Sequence, residues 1–324
     1  MSTSAAPLRG LGLKLTAAAS AHQPTRRTNR PVGTKPGIIL RRLGLAVALL
    51  GALLLGACST TRLAYNQAPS LLYWWLNDWV DFTEAQSAPM RQELEQWVAW
   101  HRSSELPIYI RQFQHWQTLA PQDLSAAQVC SEFEAVRAAV QRMGERSVAP
   151  LTRLGQQLSR EQMAHLQRQQ EDSNTEFEDE YLRGTPQQRM KRRLDKAVSR
   201  SETLYGRLSP AQRERVQRGL QASPWDPQQT QLERLRRQRD LLQTIATLQA
   251  PPASSTPDEL GRGYLNRLLN TPTAGYNANS AALVQHGCAE FAALHNSTTL
   301  EQRANAVRVL KGYEDDLRAL VVQR

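Results

Sequence analysis

The sequence predicts an all-α protein: a multi-helix bundle of about ten helices that follows a lipoprotein signal peptide. Apolar residues recur at steps of three and four, as in Ala306, Leu310, Tyr313, Leu317 and Leu320, which is the period of an amphipathic helix. Alternating apolar and polar residues, the pattern of a half-buried strand, are nearly absent. A short apolar run near the N-terminus ends at a cysteine, as in an exported lipoprotein.

Helix starts are marked by the capping box, a Ser or Thr followed three residues later by Gln. The hydroxyl accepts a hydrogen bond from the third backbone N–H, and the Gln side chain accepts one from the N–H of the cap residue. The pairs are Thr83–Gln86, Ser125–Gln128, Ser159–Gln162, Ser209–Gln212 and Thr299–Gln302. Segments rich in Gly, Pro and Asn predict breaks at 184–186, 223–227, 250–257 and 270–280.

Residues 1–57 are predicted to be a signal peptide with an extended basic n-region. Its apolar run, 43–55, has 13 residues, whereas a membrane-spanning helix needs roughly 20. The run ends in Leu55, Gly56, Ala57 and Cys58, which resemble the bacterial lipobox. Small residues there admit a peptidase, and the thiol of Cys58 carries the lipid. The sequence therefore predicts an N-terminus modified by diacylglycerol and a further acyl chain such as palmitate.

The mature chain is predicted to begin with a lipidated N-terminus and short tether, 58–69. A helical domain, 70–324, follows, with a possible linker at 250–257. Ser59 directly follows the lipidated cysteine, and in lipoproteins an Asp at this position favours retention in the inner membrane. The sequence thus favours the outer membrane, with the protein facing the periplasm and held there by its N-terminal lipid.

The charge distribution argues against a nucleic-acid partner. The whole chain has 40 basic and 30 acidic residues, a net charge of +10. Residues 1–57 hold eight of the basic residues and no acidic one, so the mature chain keeps 40 − 8 = 32 basic residues and a net charge of +2. Most of the excess positive charge therefore lies in the segment that is predicted to be removed.

Two cysteines remain after lipidation, Cys130 and Cys288. In an oxidising periplasm they form a disulfide or stay as two separate buried thiols. His286 and His295 lie near Cys288, but the set lacks the ligand spacing of a zinc site. The sequence predicts no metal and no cofactor.

Three tryptophans, Trp74, Trp75 and Trp79, lie in a segment, 71–80, that is apolar on nearly every helical face. Such a helix is buried on all sides or lies against lipid. Tryptophan is enriched at membrane–water interfaces, and the segment begins a dozen residues after Cys58. Core packing and interfacial contact both remain open, and one does not exclude the other.

Six segments resemble a family of Gram-negative lipoproteins that is defined by a domain of unknown function. They are residues 62–66, 74–78, 100–102, 208–212, 223–227 and 294–298, and the likeness extends over about 62–320. The resemblance implies a lipid-anchored helical protein and supplies no active-site residues. The Leu-Ser-x-x-Gln elements are also similar to the Leu-Thr-x-x-Gln signature of small periplasmic stress chaperones.

The sequence contains no phosphate-binding loop, dinucleotide-binding glycine pattern, nucleophile elbow or metalloprotease motif. We therefore predict no catalytic residue. The leading hypothesis is a non-enzymatic, lipid-anchored envelope protein that binds a protein or lipid partner. The alternatives are a periplasmic chaperone-like or envelope-stress protein, and a cell-envelope enzyme without a recognisable motif.

Overall fold

The computed structural model describes residues 59–323, which form twelve α-helices and contain no β-strand. The all-α prediction is thereby confirmed. A π-helical turn, His101–Glu105, joins the helices Glu84–Trp100 and Leu106–Leu119 into one continuous helical segment. The helices are α1 Ser59–Asn66, α2 Ala68–Val80, α3 Glu84–Trp100, α4 Leu106–Leu119, α5 Ala126–Gln156, α6 Arg160–Tyr181, α7 Pro186–Tyr205, α8 Pro210–Ala222, α9 Pro227–Gln249, α10 Pro257–Leu269, α11 Ala274–Asn296 and α12 Leu300–Val322.

Two hydrophobic clusters are connected by the long helix α5. The first cluster joins α2, α3, α6 and α9 to the end of α5 through residues such as Tyr73, Leu94 and Leu154. The second joins α4, α7, α8, α11 and α12 through residues such as Tyr205 and Leu310. Helix α5 has 31 residues, a length of about 46 Å. It packs against α3, α9, α10 and α11, so it contributes Leu154 to the first cluster and contacts α11, which contributes Leu294 to the second.

The predicted capping boxes start their helices. Hydroxyl and amide are both hydrogen-bonded at the start of α5, α6, α8 and α12. At α3, Gln86 Oε1 accepts from the Thr83 N–H at 3.0 Å. The sequence analysis missed two further boxes, Thr185–Gln188 and Thr256–Glu259, which start α7 and α10. Both lie where Gly and Pro had indicated only a break.

The capping glutamines also bring turns together. Gln162 Nε2 donates to Gln86 Oε1 at 2.7 Å and to the Asp81 carbonyl at 2.9 Å. In return, Gln86 Nε2 donates to the Gln157 carbonyl at 3.3 Å. Each accepting carbonyl lies two residues before the cap of the partner helix. The α2–α3 and α5–α6 turns are therefore joined by the same side chains that cap α3 and α6.

The second cluster repeats this arrangement with the same spacing. Gln212 Nε2 donates to Gln302 Oε1 at 2.8 Å and to the Ser297 carbonyl at 2.9 Å. Gln302 Nε2 donates to the Arg207 carbonyl at 3.0 Å. The α7–α8 and α11–α12 turns are joined in this way, so each hydrophobic cluster contains one pair of linked turns.

Several segments differ in detail from the sequence-based expectation. Residues 59–66, expected as part of a tether, form α1, which packs against α12. Residues 250–256, in the possible linker, connect α9 and α10, which pack against each other. The break predicted at 270–280 is wrong beyond residue 273, because α11 already begins at Ala274.

Helix α12 buries acidic side chains beside its apolar stripe. Tyr313, predicted on the buried face, is 40% exposed, whereas Glu314 and Asp316 are buried. Glu314 accepts hydrogen bonds from Gln114 and Gln117 of α4, which compensate the cost of burying its charge. These donors lie about 200 residues away in sequence, so periodicity along α12 could not reveal them.

Candidate functional site

The π-helical turn between α3 and α4 holds a polar cluster beside the N-terminal helix. His101 Nδ1 and the Tyr65 hydroxyl are 2.8 Å apart, and the His101 ring stacks on Trp97 with centroids 5.3 Å apart. Arg102 donates to Asn66 Oδ1 at 2.8 Å. Burial lowers the pKa of His101, so its imidazole is mainly neutral at pH 7. Two of the segments that carried the family resemblance, 62–66 and 100–102, meet here.

Glu105, the last residue of the turn, is 1% exposed. Arg142 of α5 binds both of its carboxylate oxygens, with two N–O distances of 2.8 Å. Hydrogen bonds from Arg142 hold the pKa of Glu105 below its usual value, and burial raises the pKa of nearby Tyr109 to about 12. This bidentate pair fixes the start of α4 against the second half of α5.

Beyond this ion pair, an open groove runs between α4 and α5. The two helices follow each other in the chain, yet their backbones do not pack closely. The groove has two lobes of about 310 and 360 Å³, and Trp116 and Val136 line both. Ligand sites typically have volumes of roughly 300–1,000 Å³. Almost all of the lining surface is apolar.

Four apolar side chains at this groove are exposed to solvent. The exposed fractions are 43% for Phe133, 45% for Val136, 45% for Val140 and 41% for Phe291. Isolated exposed apolar residues are common on proteins, but a contiguous apolar groove is typical of a binding surface.

Both walls of the groove repeat every seven residues. On α5, Val129, Val136 and Met143 are seven residues apart, and so are Phe133 and Val140. This spacing keeps side chains on the helix face that packs against another helix. On the α4 wall the same spacing relates Tyr109 to Trp116, and Phe113 to Ala120, which directly follows the end of α4.

The polar groups of the groove are engaged with one another. Glu132 accepts hydrogen bonds from Gln112 Nε2 at 2.5 Å and from Trp116 Nε1 at 2.9 Å. His115 Nε2 lies 3.1 Å from the same carboxylate. At the other end, His295 contacts the Tyr205 hydroxyl. These groups bridge helices around an apolar space, an arrangement suited to binding by shape and apolar contact.

A disulfide borders the groove. In the structure Cys130 of α5 and Cys288 of α11 are bonded, with an S–S distance of 2.09 Å and a Cα–Cα distance of 5.4 Å. Cys130 is next to Val129 and one turn from Phe133, while Cys288 is one turn before Phe291. The bridge therefore connects two of the elements that form the walls.

Comparison with known families places this groove within a shared region. Residues 78–255 match the family model of DUF6279, a family of unknown function. The match covers 178 of the 324 residues. The chain belongs to DUF6279. Comparisons with curated proteins and with solved structures found no match.

The DUF6279 region contains α3 to α9 in full, including both walls of the groove. Helices α11 and α12, which close one end of the groove, follow the matched region. The match is thus shorter than the likeness over about 62–320 that the sequence had suggested. Membership of a family defined by a domain of unknown function is confirmed.

The residues predicted for lipid attachment, Cys58 with Leu55, Gly56 and Ala57, lie outside the described part of this DUF6279 protein. Trp74 and Trp75 are 63% and 59% exposed, whereas Trp79 packs partly buried against the first hydrophobic cluster. None of the helices between residues 59 and 323 is both long enough and apolar enough to span a membrane.

The residues weighed for a metal site have separate roles. His286 Nε2 lies 2.9 Å from the Gly219 carbonyl, and His295 Nε2 lies 2.7 Å from the Gln122 carbonyl. Cys288 is in the disulfide. Within residues 59–323, no three His, Cys, Asp or Glu side chains are grouped as metal ligands.

Sequence reasoning did not find the groove or the Glu105–Arg142 pair. The seven-residue spacing on α4 and α5 is visible in the sequence and could have indicated the groove walls. Nothing local indicates the ion pair, because its partners are 37 residues apart.

Proposed function

We propose that this DUF6279 protein is a non-enzymatic, lipid-anchored module of the cell envelope that binds an amphipathic helix of a partner protein. The groove between α4 and α5 carries the proposal. Its walls are apolar, open to solvent and formed by two helices that stand apart. A third helix laid along the open side of the groove would bury Phe133, Val136 and Val140 together.

The periodicity of the walls favours a helix over a shapeless apolar ligand. A helix-in-groove complex uses side chains at spacings of three, four and seven residues, and both walls offer the matching spacing. The α5 seam from Val129 to Met143 spans 14 residue steps, about 21 Å. The proposed occupant is therefore a helix of about two heptads with one apolar face.

The lipid anchor is supported by the sequence that ends at Cys58. The outer-membrane, periplasm-facing location rests on Ser59. The non-enzymatic role rests on the sequence, in which no recognisable catalytic motif occurs. An anchored module of this kind would hold its partner close to the membrane surface.

Site-specific photocrosslinking in intact cells tests the proposal. A photoreactive amino acid is placed at Phe133 or Val140, which lie one heptad apart on the groove wall. Leu232, 65% exposed on α9 and outside both lobes, is the matched control. Both groove positions are expected to crosslink to one amphipathic helical segment of the same protein, and the control is not.

The crosslinked segment is then made as a peptide and titrated into the purified protein. We expect the peptide to become helical on binding, and Phe133→Ser to weaken binding about tenfold because a large apolar contact is lost. Crosslinking equal to that of Leu232 would contradict the proposal. So would crosslinks only to lipid, only to a second copy of this chain, or to a segment that binds without forming a helix.

A chaperone-like role is the second candidate, favoured by the Leu-Ser-x-x-Gln elements and by the open apolar groove. Such a protein would bind many unfolded chains rather than one helix. Suppression of the aggregation of unrelated clients, lost in Phe133→Ser, would favour it. A single crosslinked partner favours the first proposal.

A further inference from the structure

The N-terminal helices carry an exposed apolar face that lies apart from the groove. Leu71, Trp74 and Trp75 lie on one side of α2, at spacings of three and four residues, and are 48%, 63% and 59% exposed. Leu63 of α1 is 63% exposed. We propose that this face, Leu63, Leu71, Trp74 and Trp75, lies in the membrane–water interface and fixes the orientation of the protein on the bilayer.

The position of the predicted lipid gives the first argument, which rests on the lipid anchor of the proposed function. Helix α1 begins at Ser59, the residue that follows Cys58. Trp74 is 16 residues beyond Cys58, a path of at most about 24 Å if the chain is helical throughout. A lipid at Cys58 would therefore keep the face within reach of the headgroup region. The headgroup regions and the hydrocarbon core together are about 40–45 Å thick.

Helix α1 is fixed to the body of the protein. Arg62 Nε lies 3.1 Å from Asp316 Oδ1, and Asn66 Nδ2 donates to Gln323 Oε1 at 3.1 Å. The residues that follow the predicted lipid attachment site are therefore held against α12, so the exposed face keeps a fixed position relative to the body of the protein.

The chemistry of the face gives the second argument. The tryptophan side chain combines a large apolar ring with one N–H donor, which favours the interface over both water and hydrocarbon. The N–H groups of two other tryptophans are hydrogen-bonded within the protein: Trp97 Nε1 donates to Ser147 and Trp116 Nε1 to Glu132. Trp79 packs partly buried against the first hydrophobic cluster.

Depth-dependent fluorescence quenching tests the inference. The acylated protein is purified from membranes and reconstituted into vesicles of phosphatidylcholine and phosphatidylglycerol that contain lipids brominated at chosen acyl positions. The double variant Trp74→Phe/Trp75→Phe is compared with wild type. Trp225→Phe is the control, because Trp225 contacts Tyr181 edge-to-face in the body of the protein.

Bromines near the headgroups are expected to quench wild type and Trp225→Phe, and at least half of the quenched emission should be lost in the double variant. Equal quenching in all three proteins would overturn the inference. So would tryptophans shielded from aqueous acrylamide but not quenched by lipid, since protein would then cover the face. Intact mass and flotation with vesicles test the anchor separately: an unacylated protein contradicts the anchor, whereas an acylated protein with unchanged quenching contradicts only the face.

Discussion

Replacing Gln212 by Ala tests whether the linked turns hold the second cluster together. Gln212 is 5% exposed. Its Oε1 accepts from the Ser209 N–H at 2.9 Å, and its Nε2 donates to Ser297 and Gln302. The pair with Gln302 is reciprocal, since Gln302 Nε2 also donates to Gln212 Oε1 at 3.0 Å. With a net contribution of about 1 kcal/mol for each of the three partner residues, loss of the side chain should lower the free energy of unfolding by about 3 kcal/mol.

The chain contains a matched control in Gln188. This exposed side chain accepts from the Thr185 N–H at 2.9 Å and so caps α7, but its capping box is not part of a linked pair of turns. Gln188→Ala should cost about 1 kcal/mol, the usual value of a cap. The difference between the two variants, about 2 kcal/mol, measures the contact between turns.

Urea unfolding followed by far-UV circular dichroism provides the measurement, with equal denaturant slopes as the condition for comparing midpoints. A double-mutant cycle of Gln212→Ala and Gln302→Ala should give a coupling of about 1 kcal/mol. If Gln212→Ala destabilises no more than Gln188→Ala, the glutamines act only as local caps and the reasoning is refuted.

Four further predictions can be checked independently. Cys58→Ala should abolish labelling with palmitate and block processing; continued labelling would place the lipid elsewhere. The native protein should show no free thiol, and Cys130→Ser should lower stability by up to about 5 kcal/mol for a separation of 158 residues; two reactive thiols would exclude the bridge. Leu106→Ala, at a position that is 1% exposed, should cost about 3 kcal/mol in urea unfolding, and a cost below 1 kcal/mol would contradict its place in the core. Hydrogen bonds from Gln117 and Arg318 lower the pKa of Glu314 to about 2; because the folded pKa is the lower one, the stabilisation is present above about pH 4.5 and is lost as the pH falls towards 2. Glu314→Gln should make the free energy of unfolding depend less on pH in this acidic range. An unchanged pH dependence there would show that other groups control it.

The helices were predictable because their signals are local. A capping box uses residues three positions apart, and an apolar stripe is complete within one helix. The same Ser–Gln pairs gave no sign that Gln86 would meet Gln162, because that contact depends on how two distant turns pack. Sequence periodicity therefore locates helix starts without identifying the turns that join.

The candidate site was harder to predict than the fold. His101 and Trp97 are four residues apart and their rings stack, so this part of the site has a local signal in the sequence. Phe133 and Val140 could equally have been core residues, since a strip of apolar side chains does not reveal whether a neighbouring helix covers it. Their exposure follows from the separation of α4 and α5, which is a property of the whole bundle.

The contacts of α4 and α5 with the last helices have a practical consequence for anyone who divides the protein into fragments. The helix that precedes it, α4, packs most extensively against the last helix, α12, while α5 itself is bonded to α11. A cut anywhere between α5 and α11 would separate segments that cover each other's apolar surface. Expression of either half alone should give an insoluble or partly folded product, and the smallest independently folding piece should be close to the whole of residues 59–323.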